Sequence, residues 1–195
     1  MTPQTWLTLA ADATLRHRIS DDPVLPLYGP LMRQFEAWQP ITWDSAVVGL
    51  HIVYGWMPTI PDLGRPAGLN AAEQQAVVTL LNAARLRLLS VAEMELLKQR
   101  LINNSTVGLS KLLHFLAPER YVIWDSRVAK AWYGQDRVYP YRYEPPAEYL
   151  AYLGAITAWL ANPDVTKQIA KLRTLSPDLA TVSPLRMIEL VLFHN

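Results

Sequence analysis

The chain has 195 residues, 51% of them hydrophobic, and no Gly/Ser-rich or polar run divides it, so residues 1–195 are predicted to form a single domain around one sizeable core. It contains no cysteine, which excludes disulfides, thiolate metal sites and a cysteine nucleophile, and its four histidines have no metal-ligand spacing. We therefore expect no metal and no cofactor, while a formal net charge of +1 argues neither for nor against a nucleic-acid partner.

The amino-terminal segment has no basic leader before an apolar core. No apolar run in the chain approaches the ~20 residues that are needed to span a bilayer. We expect a cytoplasmic protein that makes no membrane contact.

Apolar residues at helical spacing, interrupted by prolines, predict three helices in the first third of the chain: Gln4–Arg18, Leu31–Trp38 and Trp43–Met57. Asp44 or Ser45 is placed to cap the third helix. Because that helix is apolar nearly all round, we expect it to be buried at the centre of the fold. His51 on such a helix is more typical of a hydrogen-bonded core histidine than of a catalyst.

The stretch Pro58–Gly68 holds three prolines and two glycines and is predicted to be an ordered loop or a lid. Two scaffold helices are predicted beyond it: Ala71–Leu89 and Val91–Ile102. Asn70 is placed to cap the first of them. Ser90 and Glu93 have the spacing of a capping box for the second.

The stretch Thr106–Tyr133 is predicted to be a helix, a reversal and a second helix, with polar groups at the join. At about 100° per residue, the leucines of the first helix form one apolar stripe. Ser110, Lys111 and His114 then share the opposite face, which is our first candidate site. Pro118 ends this helix because the residue before a proline is disfavoured in the α conformation.

Asp125 precedes the second helix, Ser126–Tyr133, and is predicted to be its N-cap. From Lys111 to the end of its helix is roughly 9 Å, whereas a seven-residue link can span about 23 Å. The link is therefore long enough to bring Asp125 back beside Lys111. A carboxylate beside an amine can activate a nucleophile or shuttle its protons.

Tyrosines alternate with a proline and an arginine in the segment Gly134–Pro146. Such a segment can stack on unpaired bases or grip phosphates, although a proline-stiffened surface loop is the commoner case. Three helices are predicted after it: Ala147–Leu160, Asp164–Leu172 and Leu185–Phe193. Ser183 with Pro184 opens the last of these.

Apart from the short RYVIW, no segment has a convincing strand pattern, so the predicted fold is all-α. The sequence has no GxGxxG, Walker loop, HExxH or GxSxG motif. Dinucleotide binding, phosphate-loop chemistry, zinc peptidase and serine hydrolase functions therefore have no support.

Basic residues concentrate around the hairpin: residues 98–142 hold eight Lys/Arg against three Asp/Glu, an excess of +5. A field of this kind attracts a polyanion such as a phosphate backbone. Chance clustering on a solvated surface explains the same count equally well.

The segments VGLSK at 107–111 and VIWDSRVAKAW at 122–132 resemble the hairpin of the helix-hairpin-helix base-excision DNA glycosylases, especially the 8-oxoguanine glycosylase branch. The resemblance covers under a fifth of the chain. It implies a glycine-containing turn at Gly108, a lysine nucleophile at Lys111 and a catalytic aspartate at Asp125. The partner that it implies is duplex DNA with a damaged base, such as an oxidised purine, which is flipped out of the stack into a pocket.

With duplex DNA as the partner, particular side chains are candidates for contact with the DNA and with the flipped base. We expect the pocket wall to include His51, Trp56, His114 and Trp124. The expected nucleic-acid contacts are Gly108, Ser110, Arg127, Lys130 and Arg142.

Structural roles remain open for the same residues: Lys111 as a solvated helix lysine, Asp125 as a simple cap and Trp124 as a core side chain. The alternative function is a non-enzymatic helical module that binds DNA or a protein partner through its basic hairpin.

Overall fold

The computed structural model describes residues 1–55, 62 and 64–195, and this part of the chain forms thirteen α-helices, one 3-10 helix and no strand. The all-α prediction is confirmed. The first seven helices are α1 Pro3–Ala11, α2 Ala13–Ser20, α3 Leu25–Glu36, α4 Trp43–Gly55, α5 Gly64–Ala67, α6 Ala71–Leu86 and α7 Val91–Leu101. The others are α8 Thr106–Leu116, α9 Ser126–Tyr133, α10 Pro140–Tyr143, α11 Pro146–Trp159, α12 Pro163–Arg173 and α13 Pro184–His194, with the 3-10 helix at Pro177–Leu179 before α13.

The opening of the chain differs from the single helix predicted for it. Asp12 leaves the helical conformation, and its side chain accepts a hydrogen bond from the backbone N–H of Leu15, so that it caps α2 and divides the helix in two. Helix α3 begins at Leu25, six residues before the predicted start at Leu31, and it includes Pro26 and Pro30. Pro26 lies in the first turn, where its missing N–H removes no helical hydrogen bond.

Helix α4 is less buried than its composition predicts. Ala46, Leu50 and Val53 are buried, but Val48 is exposed. Thr42 rather than Asp44 or Ser45 caps the helix, since the Thr42 hydroxyl accepts from the backbone N–H of Ser45. Of the predicted loop 58–68, residues 58–61 and 63 lie outside the described residues, and α5 forms one helical turn within it.

The predicted caps of the scaffold helices are confirmed. Asn70 and Glu73 form a capping box at the start of α6, and Ser90 and Glu93 form one at the start of α7. Helix α6 ends at Leu86, three residues before the predicted end at Leu89, and Leu88 beyond it is exposed.

Helix α8 takes the central position that composition assigned to α4. It contacts α3, α4, α6 and α7, and every residue from Gly108 to Leu116 is buried. The helix ends at Leu116 before Pro118, as predicted. Its predicted polar face, which carries Ser110, Lys111 and His114, therefore faces other helices rather than solvent.

The chain returns from α8 to α9 through residues 117–125, whose Tyr121 to Trp124 are buried without forming a strand. Asp125 then caps α9, as predicted: Oδ1 accepts from the backbone N–H groups of Arg127 and Val128 at 2.9 and 3.0 Å. Gly134 ends the helix in the left-handed conformation, with φ of 63°.

Helix α13 closes the fold by packing against α1, α2, α9, α11 and α12. Ser183 caps it by accepting from the backbone N–H of Arg186, as the Ser-Pro opening predicted. The helix is buried from Leu185 to Leu192, and this stretch includes a glutamate, Glu189. None of the described helices is long and apolar enough to cross a membrane.

Candidate functional site

Lys111 and Asp125 line the same cavity, which has a volume of about 880 Å³ and lies where α8, α9 and α13 meet. The reversal between α8 and α9 thus brings Lys111 and Asp125 into one cavity, as the length of the link allows. The other charged residues among the described lining are Asp22, Arg127, Glu144, Arg186 and Glu189. Its apolar lining includes Val24, Leu27, Val107, Ile123, Tyr143 and Phe193.

Lys111 is only 8% exposed, so it is not the solvated helix lysine that its neighbours in sequence also allowed. Burial lowers the pKa of its amine, while the nearby carboxylates of Asp125 and Glu189 act to raise it. The net shift is downward. A lysine with a lowered pKa has a larger neutral, nucleophilic fraction near pH 7 than an ordinary lysine.

Asp125 serves as a helix cap and as a cavity carboxylate at once. Its Oδ1 atom holds both backbone N–H groups at the start of α9, which fixes the orientation of the carboxyl group. The carboxyl group acts electrostatically on Lys111 and on Glu189. The two roles left open by the sequence are therefore compatible.

Arg186 and Glu189 form a buried ion pair, one turn apart on α13, that also lines the cavity. Glu189 is fully buried, and burial raises the pKa of its carboxyl group to about 7. Sequence reasoning missed this pair. Two charged residues spaced i, i+3 in the otherwise apolar run LRMIELVLF were the signal for it.

The first turn of α8 is held by internal hydrogen bonds. The backbone N–H of Gly108 donates to the Ser105 hydroxyl, and that of Thr106 donates to the Glu144 carboxylate at 2.6 Å. Ser110 is fully buried, and its hydroxyl accepts from the backbone N–H of Trp124. The structure therefore does not present Gly108 or Ser110 to a nucleic acid, because both are buried and their polar groups are occupied.

His114 and Trp124 are core residues and are not among the described residues that line the cavity. The Nδ1 atom of His114 lies 2.8 Å from the carbonyl oxygen of Tyr121, and Nε2 lies 2.8 Å from the hydroxyl of Tyr28. The Trp124 indole donates to the carbonyl of Tyr143. With both ring nitrogens engaged and no exposure, His114 has a structural role instead of the predicted place in a pocket wall.

His51 is exposed on α4, so the expectation of a core histidine was wrong, and it is not among the described cavity residues either. Its Nδ1 atom bonds to the carbonyl of Val47 one turn earlier. Trp56, the remaining predicted wall residue, lies outside the described residues.

Three predicted DNA-contact residues are on the surface. Arg127 and Arg142 are exposed and lie over the rings of Phe193 and Tyr133, at 5.0 and 4.7 Å from the ring centroids. Lys130 is exposed one turn beyond Arg127 on α9. The basic surface is nevertheless smaller than the sequence count, because Lys98 and Lys111 are buried.

The described residues contain no group of three or more His, Asp or Glu side chains that could hold a metal ion. A scan against models of known protein families found no match, and searches of curated proteins and of solved structures found none either.

Proposed function

We propose that this protein is a DNA base-excision glycosylase-like enzyme that removes a damaged base, with Lys111 as the nucleophile and Asp125 as its proton acceptor. The observation that carries this proposal is the shared cavity: a buried lysine with a lowered pKa and an oriented carboxylate line one concave site. Nucleophile and base within one cavity are the minimum that amine catalysis requires.

The proposed reaction needs a neutral amine. Lys111 Nζ attacks the C1′ carbon of the sugar, a C–N bond forms, and the bond from C1′ to the base breaks. The base departs with the electron pair and takes up a proton from water. Asp125 stabilises the positive charge that develops on the sugar and accepts the proton that the amine loses. It returns that proton to the ring oxygen O4′ as the C1′–O4′ bond breaks, and the nitrogen lone pair forms the C1′=N bond of the imine.

The size and surroundings of the cavity support a flipped nucleotide as the ligand. A volume of about 880 Å³ is within the range of small-ligand sites. Tyr143 and Phe193 provide aromatic surface at its edge. Arg127 lines the cavity and is exposed, so it can meet a phosphate beside the flipped nucleotide, with Lys130 and Arg142 as further surface cations.

Borohydride trapping tests the proposal. The protein is incubated with duplex DNA that carries 8-oxoguanine, and with further damaged bases, before borohydride is added to reduce the imine between Lys111 and the sugar. We expect a covalent adduct with the wild type and none with Lys111→Gln. Lys167→Gln is the matched control, because Lys167 is an exposed lysine on α12, away from the cavity lining.

Equal adduct yields from wild type and Lys111→Gln would contradict the proposal. The adduct would then come from another amine, since abasic sugars also react with stray amines. If no base in the panel is removed while DNA still binds, the non-enzymatic binding module becomes the better account.

A further inference from the structure

Only one of the two carboxylate oxygens of Glu189 has a hydrogen-bond partner among the described residues. Glu189 is fully buried on α13, and Arg186 contacts only its Oε2 atom. Its Oε1 atom has no hydrogen-bond partner among the described residues. Burying a carboxylate with one oxygen unpaired is costly, so a purely structural pair would be expected to satisfy both oxygens.

Several charged or titratable groups interact electrostatically with Glu189. They are Lys111 on α8, Asp125 at the start of α9, Arg186 on α13, Tyr28 on α3 and Tyr152 on α11. Lys111 is the amine that shares the cavity lining with it. The two carboxylates that act on Lys111 differ in one respect: Asp125 has an oxygen committed to two backbone N–H groups, whereas Glu189 has an oxygen that is uncommitted.

We propose that Glu189 is a positioning residue that acts through Lys111: the charge of its carboxylate favours the ammonium while the cavity is open, and its uncommitted Oε1 atom takes one proton from that ammonium when a ligand fills the cavity. The step breaks one N–H bond and forms one O–H bond, and the overall charge does not change. The inference deepens the proposed function, on which it rests, by naming a second proton acceptor beside Asp125.

The physical reason is desolvation. Removing water from two opposite charges that share a cavity disfavours both charges, so the neutral amine and the neutral acid gain stability relative to the ammonium and the carboxylate. Burial already raises the pKa of the Glu189 carboxyl group to about 7, while burial lowers that of the Lys111 amine. The pKa values of the two groups therefore approach each other, which lowers the free energy that the proton transfer requires.

The experiment measures the reactivity of Lys111 in the full chain without DNA. Trace labelling with acetic anhydride between about pH 5 and 10 reports the neutral fraction of each lysine. The Lys111 peptide is quantified by mass spectrometry against those of Lys130 and Lys167. We expect Glu189→Gln to move the Lys111 midpoint to lower pH by about one unit, because a charge that favours the ammonium has been removed. Glu189→Asp should restore a midpoint close to that of the wild type.

Glu144→Gln is the matched control. Glu144 lines the same cavity, but its carboxylate is occupied by the backbone N–H of Thr106 and the hydroxyl of Ser105. The charges that shift the pKa of Lys111 are those of Asp125, Glu189 and Arg186, and not that of Glu144. Its replacement should leave the Lys111 midpoint unchanged, whereas a shift as large as that of Glu189→Gln would overturn the assignment.

A wild-type measurement covers the case in which Glu189→Gln does not fold. The labelling profile of wild-type Lys111 should have a second inflection near pH 7, where Glu189 titrates. A single titration curve in the wild type, or an unmoved midpoint in a folded Glu189→Gln, would refute the inference. If the midpoint moves but no damaged base is removed, the glycosylase proposal fails while the role of Glu189 stands.

Discussion

His114 is a buried histidine whose protonation state follows from its two hydrogen bonds. A carbonyl oxygen can only accept, so the Nδ1 atom that faces Tyr121 carries the hydrogen, and Nε2 accepts from the Tyr28 hydroxyl. Burial lowers the pKa of the imidazole to about 3. The neutral ring thereby ties α8 to α3 and to the segment that leads to α9.

The neutrality of His114 predicts a loss of stability in acid. A folded-state pKa of about 3 lies below the ordinary histidine value of 6.5, so the unfolded chain binds the proton more readily between these values. This contribution is complete above pH 6.5 and is lost as the pH falls toward 3. The free energy of unfolding, measured with urea at a series of pH values between about 3 and 6.5, should rise with pH more steeply for the wild type than for His114→Asn. The difference in slope should be up to about 1.4 kcal/mol per pH unit. Parallel slopes would contradict the buried neutral ring.

Glu189 opposes this trend over part of the same range. Its folded-state pKa of about 7 is raised above the ordinary glutamate value of 4.5, so its contribution to stability is complete below pH 4.5 and is lost as the pH rises through 7. The comparison with His114→Asn isolates the histidine because Glu189 is present in both proteins.

At the scale of the element, α9 is a short helix that depends on its cap. It has eight residues, and two of its first N–H groups are satisfied by Asp125 Oδ1. Asparagine caps helices about as well as aspartate, whereas alanine does not. The cap and the charge can therefore be separated by substitution at one position.

Asp125→Asn should keep the free energy of unfolding within a few tenths of a kcal/mol of the wild type, and Asp125→Ala should lower it by about 1 kcal/mol. Both variants remove the cavity carboxylate, so both should slow base removal more than they weaken DNA binding. Urea unfolding and a base-release assay measure the two effects. Asp125→Asn with wild-type activity would leave Asp125 as a cap alone.

On the scale of the whole molecule, the basic residues between positions 98 and 142 are divided between the surface and the interior. Six of the eight basic residues between 98 and 142 are exposed, and Lys98 and Lys111 are not. Lys98 donates to the backbone carbonyl of Glu144, and Arg100 is paired with Glu73. Of the six exposed cations, Arg127 lines the cavity, and Lys130 lies one turn beyond it on α9.

This distribution predicts weak DNA binding that falls steeply as salt rises, because each phosphate contact releases counterions. Charge reversal at Arg127 and Lys130 should weaken binding and reduce its salt dependence, as measured by fluorescence anisotropy. The matched control reverses Lys167 and Lys171, which are exposed on α12. Salt-independent binding, or equal losses from both pairs of reversals, would count against α9 as a DNA-binding surface.

The sequence by itself determined the helical class, most helix ends and the caps at Asn70, Ser90, Asp125 and Ser183. These features depend on side chains within about four residues of each other, where spacing and capping chemistry are decisive. It also indicated that the reversal is long enough to return Asp125 beside Lys111, because this depends only on chain length and a helix stop.

Only the tertiary structure decided which helix is central and which polar groups are buried. Helical periodicity ranks the faces of one helix, but it does not say how many neighbours will cover them. Helix α8 is covered on all sides, so Ser110 and His114 became core groups and Lys111 became a cavity residue. Arg186 and Glu189 are distant from Lys111 in sequence, and they line the same cavity because α13 packs against α9. No local sequence pattern encodes that packing.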